Sequence, residues 1–133
     1  MLVNVMSKMA DDYLQAEYSL SFSRFRFLAS CMSNPNASQA TISEHLGVST
    51  AVVNRMIPAL KKKGYLTVDT DPTHGRKTIV NLTPQGKKVV TAASIKLDNF
   101  FIQSASDANV DIEKMQLDML EVKNSLLEKG EIK

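Results

Sequence analysis

Basic residues are concentrated in one stretch of the chain. Residues 55–88 contain eight basic side chains and two acidic ones, a net charge of +6, whereas the whole 133-residue chain carries +2. The rest of the chain is therefore mildly acidic, at −4. Such a cationic surface is typical of nucleic-acid binding, although solvated lysines near a helix end are the alternative interpretation. The basic residues are Arg55, Lys61, Lys62, Lys63, Arg76, Lys77, Lys87 and Lys88.

The residue types that carry catalysis or hold metals form no recognisable set in this sequence. We find no glycine-rich phosphate loop, no Ser-His-Asp set and no His-Glu-x-x-His motif, so we do not expect an enzyme. Glu44 and His45 suggest a metal site, but two histidines and one cysteine are a weak ligand set, and we expect neither a metal nor a cofactor. Cys31 falls beside the apolar positions of a helix, which favours a buried, unreactive thiol.

Length and composition predict a single globular domain over residues 1–133. The chain is 44% apolar and 23% charged, and at this length it can bury a core without disulfide bonds. No run approaches the roughly 18 apolar residues of a membrane-spanning helix, and residues 1–9 do not resemble a secretory signal. We expect a cytoplasmic protein that is not bound to a membrane, because a single cysteine suits a reducing compartment.

Helical spacing and capping residues predict three helices in the first 47 residues. The first covers about 4–18 and the second about 21–33, ending at the Asn-Pro-Asn turn of residues 34–36. Ser38 is a candidate N-cap for the third, which ends at Gly47. The apolar stripes predicted to be buried are Val5, Met6, Met9, Tyr13 and Ala16 in the first helix, and Phe22, Phe25, Leu28 and Met32 in the second.

A fourth helix follows closely, so that helices three and four form a helix-turn-helix. Ser49 is its N-cap candidate, and it runs to Lys63 before Gly64. Its expected buried face is Val53, Met56, Ile57 and Leu60. Pro58 lacks an amide hydrogen and clashes with the preceding turn, so we expect a kink between Asn54 and Pro58 while the N-terminal half stays helical.

The next residues predict two β-strands, 65–68 and 78–83, joined by the turn-rich loop 69–77. A helix-turn-helix followed at once by a β-hairpin is a winged helix. The expected fold class is therefore mainly α with a small β-hairpin wing (α+β).

Two further helices are predicted after the wing. A long one begins at Pro84, with its apolar stripe on Val89 or Val90, Ala93, Leu97, Phe100 and Phe101. The last, from about 110 to 128, carries a heptad seam of Ile112, Met115, Met119, Val122 and Leu126. This seam either packs within its own subunit or forms a helix pair with a second copy.

Two sequence runs carry a family resemblance. Residues 38–49 (SQATISEHLGVS) with 60–66 (LKKKGYL), and the wing run 75–86 (GRKTIVNLTPQG), resemble the MarR family of dimeric winged-helix transcription factors. The resemblance implies a DNA-binding part at 21–88, with dimerisation helices at 1–20 and 89–133. Three departures from the family pattern are His74 in place of an aspartate, Val68 in place of a basic residue, and Pro58 inside the fourth helix.

On DNA, the outward residues of the fourth helix would enter the major groove, Arg76 would reach the minor groove and lysines would contact phosphates. The candidate DNA-binding residues are Ser38, Ser49, Thr50, Ala51, Val52, Asn54, Arg55, Lys62, His74, Arg76 and Lys77. Because one module reads few bases, we expect a homodimer on a pseudo-palindromic operator. The resemblance further suggests a repressor, with a possible small-molecule effector. The alternative is a winged helix used for protein–protein contact, or an architectural or replication factor without an effector.

Overall fold

The computed structural model describes residues 1–73 and 75–130, in which helices dominate and a small sheet forms the wing. The elements are α1 (Leu2–Tyr18), α2 (Phe22–Ser33), β1 (Ala37–Ser38), α3 (Gln39–Leu46), α4 (Thr50–Lys62), β2 (Leu66–Thr70), β3 (Thr78–Leu82), α5 (Pro84–Asp107) and α6 (Ile112–Lys129). The predicted winged-helix class is confirmed. The backbone groups into two compact units, Met1–Ser94 and Ile95–Lys133.

Serine hydroxyls begin three of the helices. Ser21, Ser38 and Ser49 have extended backbones, and each side chain accepts the amide hydrogen three residues later, at Arg24, Thr41 and Val52. Such caps satisfy amides that have no partner inside the helix. Gly47 ends α3 in the left-handed region at φ 66°, a conformation that glycine adopts without strain. The caps predicted at Ser38 and Ser49 are therefore present.

Helix α4 runs without interruption from Thr50 to Lys62 and contains Pro58 on its exposed side. The helical N-terminal half agrees with prediction. Val53, Ile57 and Leu60 are buried and Met56 is half-buried, so the expected inner face is correct.

The wing belongs to a three-stranded antiparallel sheet of order β1-β3-β2. The hairpin pairs Val68 with Val80 and Thr70 with Thr78, so β2 extends two residues beyond the predicted end. Ala37 and Ser38 add a short third strand on the other edge of β3. The prediction of a two-stranded hairpin was therefore incomplete. A strand of two residues is too short to show an alternation of polar and apolar side chains, so only its pairing with β3 defines it.

The core of the first unit corrects the stripe predicted for α1. Ala10 and Leu14 are its buried residues, whereas Val5, Met6 and Met9 are exposed. The buried face lies about a quarter turn from the predicted one, because only the side of α1 that packs on α2 is covered. In α2, Met32 is exposed and the buried residues are Phe25, Phe27, Leu28 and Cys31. In α5, Val90, Ala93 and Leu97 are buried as predicted, but Phe100 is exposed.

The second unit holds α6, in which no residue is buried. Four residues of the heptad seam, Met115, Met119, Val122 and Leu126, are exposed in the single chain, and Ile112 is half-buried. In the described part of the chain, no helix combines the length and apolar character needed to cross a membrane.

Candidate nucleic-acid interface

The N-terminal half of α4 presents a polar surface of small side chains followed by one arginine. Thr50, Ala51, Asn54 and Arg55 are exposed, and Val52 is half-buried. The opposite face is anchored by Val53 and Ile57 in the core. Burial of one face therefore determines which residues point outward, and these are the five positions selected from the sequence.

A groove beside this helix brings three parts of the first unit together. It is lined by Ser38, Gln39 and Ala40 at the start of α3, by Thr50 at the start of α4, and by Arg76, Lys77 and Thr78 at the end of the wing loop. Helix N-termini carry a partial positive charge, which adds to the two cationic side chains. An anionic group is the ligand that this combination favours.

The two serines assigned to phosphate differ in their surroundings. Ser49 is exposed, and its hydroxyl accepts the Val52 amide hydrogen at 3.3 Å. Ser38 is 8% exposed, and its hydroxyl accepts the Thr41 amide hydrogen at 3.2 Å while lying 3.0 Å from the Thr41 hydroxyl. Ser38 is therefore mainly a capping residue, and a contact between its hydroxyl and phosphate stays a prediction.

Local hydrogen bonds shape the loop that carries the wing arginine. The Asp71 amide donates to the Lys77 carbonyl at 2.8 Å and closes the loop. The Asp71 carboxylate accepts from the amide and the hydroxyl of Thr73, at 2.9 and 2.7 Å. Arg76 and Lys77 follow this turn with exposed side chains. His74, another predicted site residue, lies outside the described residues.

The basic side chains of this region are mostly exposed to solvent. Among residues 1–73 and 75–130, the single salt bridge joins Lys8 and Asp12, far from the cationic stretch in sequence. Seven of the eight basic side chains are exposed, Lys62 among them. They are therefore available to an external polyanion, which they would attract over roughly 10 Å at moderate ionic strength.

Lys63 is the exception because its side chain is half-buried, and a contact between this lysine and phosphate stays a prediction. Its ammonium group donates to the carbonyls of Tyr18 and Ser19, at 3.0 and 2.7 Å, and lies 5.9 Å from the centre of the Tyr65 ring. Those carbonyls belong to the end of α1, so the lysine is used inside the protein. The sequence contained a signal for this inward contact. Lys63 follows Leu60 by three residues, and that spacing places the two side chains on neighbouring positions of the helix surface.

The junction between the wing and α5 is fixed by backbone contacts. The Thr83 hydroxyl donates to the Gly64 carbonyl and accepts the Gly86 amide hydrogen, and the Thr83 amide donates to the Tyr65 carbonyl at 3.0 Å. Gly86 is buried, and a Cβ atom placed there would lie 2.1 Å from the Tyr65 carbonyl oxygen. This junction holds β3 and the start of α5 against the residues that follow α4.

A model of the MarR family matches residues 18–77, from the end of α1 to the last residues of the wing loop. The chain is also 23% identical over 101 residues to YdgJ of Bacillus subtilis, described as an uncharacterized HTH-type transcriptional regulator. That alignment covers 76% of this chain and 62% of the relative, so the chain spans less than two thirds of that relative's length. The chain therefore resembles the MarR family over residues 18–77, a little under half of its length.

Two solved structures show the same fold. The transcriptional regulator BldR from Sulfolobus solfataricus superposes with a TM-score of 0.81 at 23% identity, covering 96% of this chain and 88% of BldR. FabT from Streptococcus pneumoniae, solved in complex with DNA, gives a TM-score of 0.79 at 16% identity and covers 98% and 92%. The family match over residues 18–77 and the shared fold therefore agree with the resemblance found in residues 38–86.

Cys31 is a buried thiol, as expected. It is 2% exposed, and burial raises its pKa to about 12, so the reactive thiolate is disfavoured. Glu44 and His45 are exposed on α3. The described residues contain no cluster of three or more histidine, cysteine or acidic side chains that could hold a metal ion.

Proposed function

We propose that this chain is a sequence-specific DNA-binding transcriptional regulator of the MarR family that acts as a homodimer on a pseudo-palindromic operator. The observation that carries the proposal is the exposed N-terminal half of α4 beside a groove lined by Arg76 and Lys77. The basic residues around it form no ion pair with a described carboxylate. This surface has the width of one helix, which is what a DNA major groove admits.

On DNA, the outward residues of α4 would read bases and the lysines would contact the backbone. Arg55 would donate two hydrogen bonds to guanine, Asn54 would pair with adenine, and Val52 or Ala51 would contact a thymine methyl group. Lys62 and Lys77, with Ser49, would contact phosphates and set affinity rather than sequence preference. Arg76 at the wing would enter the adjacent minor groove, whose negative potential favours a guanidinium group.

Dimerisation is proposed from the exposed apolar surfaces. Met115, Met119, Val122 and Leu126 repeat along α6 at coiled-coil spacing and are open in the single chain. The first half of α1 also exposes Leu2, Val3 and other apolar side chains. A second copy would cover such surfaces and place two recognition helices on two half-sites, about one helical turn apart. We further propose repression, with release by a small molecule as the regulatory step.

Affinity measured against salt concentration tests the DNA-binding proposal. The protein should bind a duplex from its own promoter more tightly than a scrambled duplex, by at least about a thousandfold. Arg55→Ala should reduce this preference at one base position of each half-site. Lys62→Ala should weaken both duplexes equally and lower the slope of log affinity against log salt by about 0.9.

Equal affinity for the two duplexes at every salt concentration would refute sequence-specific regulation. It would favour the alternative of an architectural or protein-contact role, to which Pro58 and Val68 lend weight as departures from the family pattern. If Arg55→Ala weakened both duplexes equally and Lys62→Ala changed the base preference, α4 would be oriented differently on DNA.

The molecular mass in solution tests the proposed homodimer. Light scattering at micromolar concentration should give twice the 14.7 kDa of one chain. Met119→Glu places a charge in the apolar seam and should shift the protein to monomer, because an unpaired buried carboxylate costs several kcal/mol (about 3 or more). Asn124→Glu, at another exposed position that lies off the seam, is the control and should stay dimeric. A monomeric wild type would overturn this part of the proposal.

A further inference from the structure

Three consecutive lysines at the end of the recognition helix have different environments. Lys61 and Lys62 are exposed, whereas Lys63 is half-buried and caps α4. The Lys63 ammonium group donates to the last carbonyls of α1, at Tyr18 and Ser19, with distances of 3.0 and 2.7 Å. It also lies over the face of Tyr65 at 5.9 Å. One cation therefore connects the end of α4 to the end of α1.

The end of α1 is a favourable place for this cation. The last carbonyls of a helix have no partner inside it and carry a partial negative charge. Ser19 continues the chain in the left-handed region at φ 50°, so the backbone turns there and leaves these carbonyls accessible to Lys63. Charge-assisted hydrogen bonds of this kind are about twice as strong as neutral ones.

A second contact fixes the same turn from the other side. The Asp11 carboxylate of α1 accepts the amide hydrogen of Phe22, the first residue of α2, at 2.8 Å. The α1–α2 turn is therefore held at Asp11 by α2 and at its carbonyls by Lys63. Because α2 also packs on α3 and α4, the end of α1 and the recognition helix form one connected framework.

We propose that Lys63 is a positioning residue that fixes the orientation of the recognition helix relative to α1. This inference rests on the proposed function, in which α1 contributes to the contact with a second copy. Lys63 then helps to set the angle and spacing between the two recognition helices of a dimer. It does so without touching DNA, in contrast to Lys62 in the preceding position.

Two duplexes distinguish positioning from direct contact: one with both half-sites and one with a single half-site. Lys63→Met should lower affinity for the full operator about tenfold, which is about 1.4 kcal/mol, and leave half-site affinity and the salt slope unchanged. Lys62→Met is the matched control and should weaken both duplexes, with a salt slope lower by about 0.9. Lys63→Arg, which keeps a charged donor, should restore the wild-type ratio of the two affinities.

Each outcome has a defined meaning. If folded Lys63→Met keeps the wild-type ratio of full-operator to half-site affinity, and the wild type prefers its operator, this inference is overturned but the proposed function is not. A fall in both affinities together with the salt slope shows that Lys63 contacts phosphate, and also overturns it. If the wild type has no preference for the operator, the proposed function fails and the inference fails with it. If Lys63→Met does not fold by circular dichroism, Lys63→Gln replaces it with the same expected results.

Discussion

Replacing Gly86 by alanine should have two opposing effects on the free energy of unfolding, and their sizes can be compared. Gly86 lies in the first turn of α5, where alanine is intrinsically favoured by up to about 1 kcal/mol. The added Cβ, however, would lie 2.1 Å from the Tyr65 carbonyl oxygen and 3.0 Å from its carbon. Because both atoms belong to the backbone, no side-chain rotation can relieve the overlap.

The clash should outweigh the helical preference. Overpacking of this kind costs about 1–3 kcal/mol. Moving the Tyr65 backbone would also strain the hydrogen bonds from Thr83 to the Tyr65 and Gly64 carbonyls, which contribute about 1 kcal/mol each. After subtraction of the alanine preference, we expect Gly86→Ala to lower the free energy of unfolding by about 3 kcal/mol. For a chain of this length, this corresponds to a fall in Tm of about 10 °C.

Thermal unfolding followed by circular dichroism measures this change, at one protein concentration because the Tm of a dimer depends on concentration. Gly75→Ala in the wing loop is the control, since no atom lies within 4 Å of its added Cβ. Its stability should change by less than about 0.5 kcal/mol. A Gly86→Ala variant that is as stable as the wild type would refute the argument that this backbone approach requires glycine.

Two further predictions concern α2 and α4. Burial raises the pKa of Cys31 to about 12, so iodoacetamide should modify this thiol at least about 100-fold more slowly in the native protein than in concentrated urea. Mass spectrometry at neutral to mildly alkaline pH measures the two rates. Comparable rates would contradict a buried thiol. Pro58→Ala should raise the free energy of unfolding by about 2 kcal/mol, because the gain of about 3 kcal/mol in the helix is partly offset by a more flexible unfolded chain. Urea unfolding measures this, and an unchanged midpoint would show that α4 accommodates the proline without cost.

Elements that depend on local backbone chemistry could be predicted from the sequence. The caps at Ser38 and Ser49 and the left-handed end at Gly47 lie where their residue types indicate, because each satisfies a requirement within a few residues. The inner face of α4 was predictable for a similar reason, since Val53, Met56, Ile57 and Leu60 follow one another at helical spacing. The outward positions of the candidate interface follow from these positions by subtraction.

Elements that depend on a distant partner could not be predicted. The two-residue strand β1 exists because β3 offers it a free edge, at Val80 and Ile79. The buried face of α1 depends on the side that α2 covers, and the apolar residues of α1 extend over more than that side. In both cases the sequence pattern is compatible with several arrangements, and packing selects one of them.

The lysines at the end of α4 show how the two kinds of information combine. Residue type alone assigns Lys61, Lys62 and Lys63 the same role, because each carries one mobile positive charge. Successive residues of a helix are separated by about 100°, so Lys63 lies about 60° around the helix from the buried Leu60, whereas Lys61 and Lys62 lie about 100° and 160° from it. The period therefore indicates which lysine turns inward, but only the position of the α1 carbonyls determines what it binds. For the same reason, we expect Lys61 and Lys62, but not Lys63, to be available to DNA at this end of the helix.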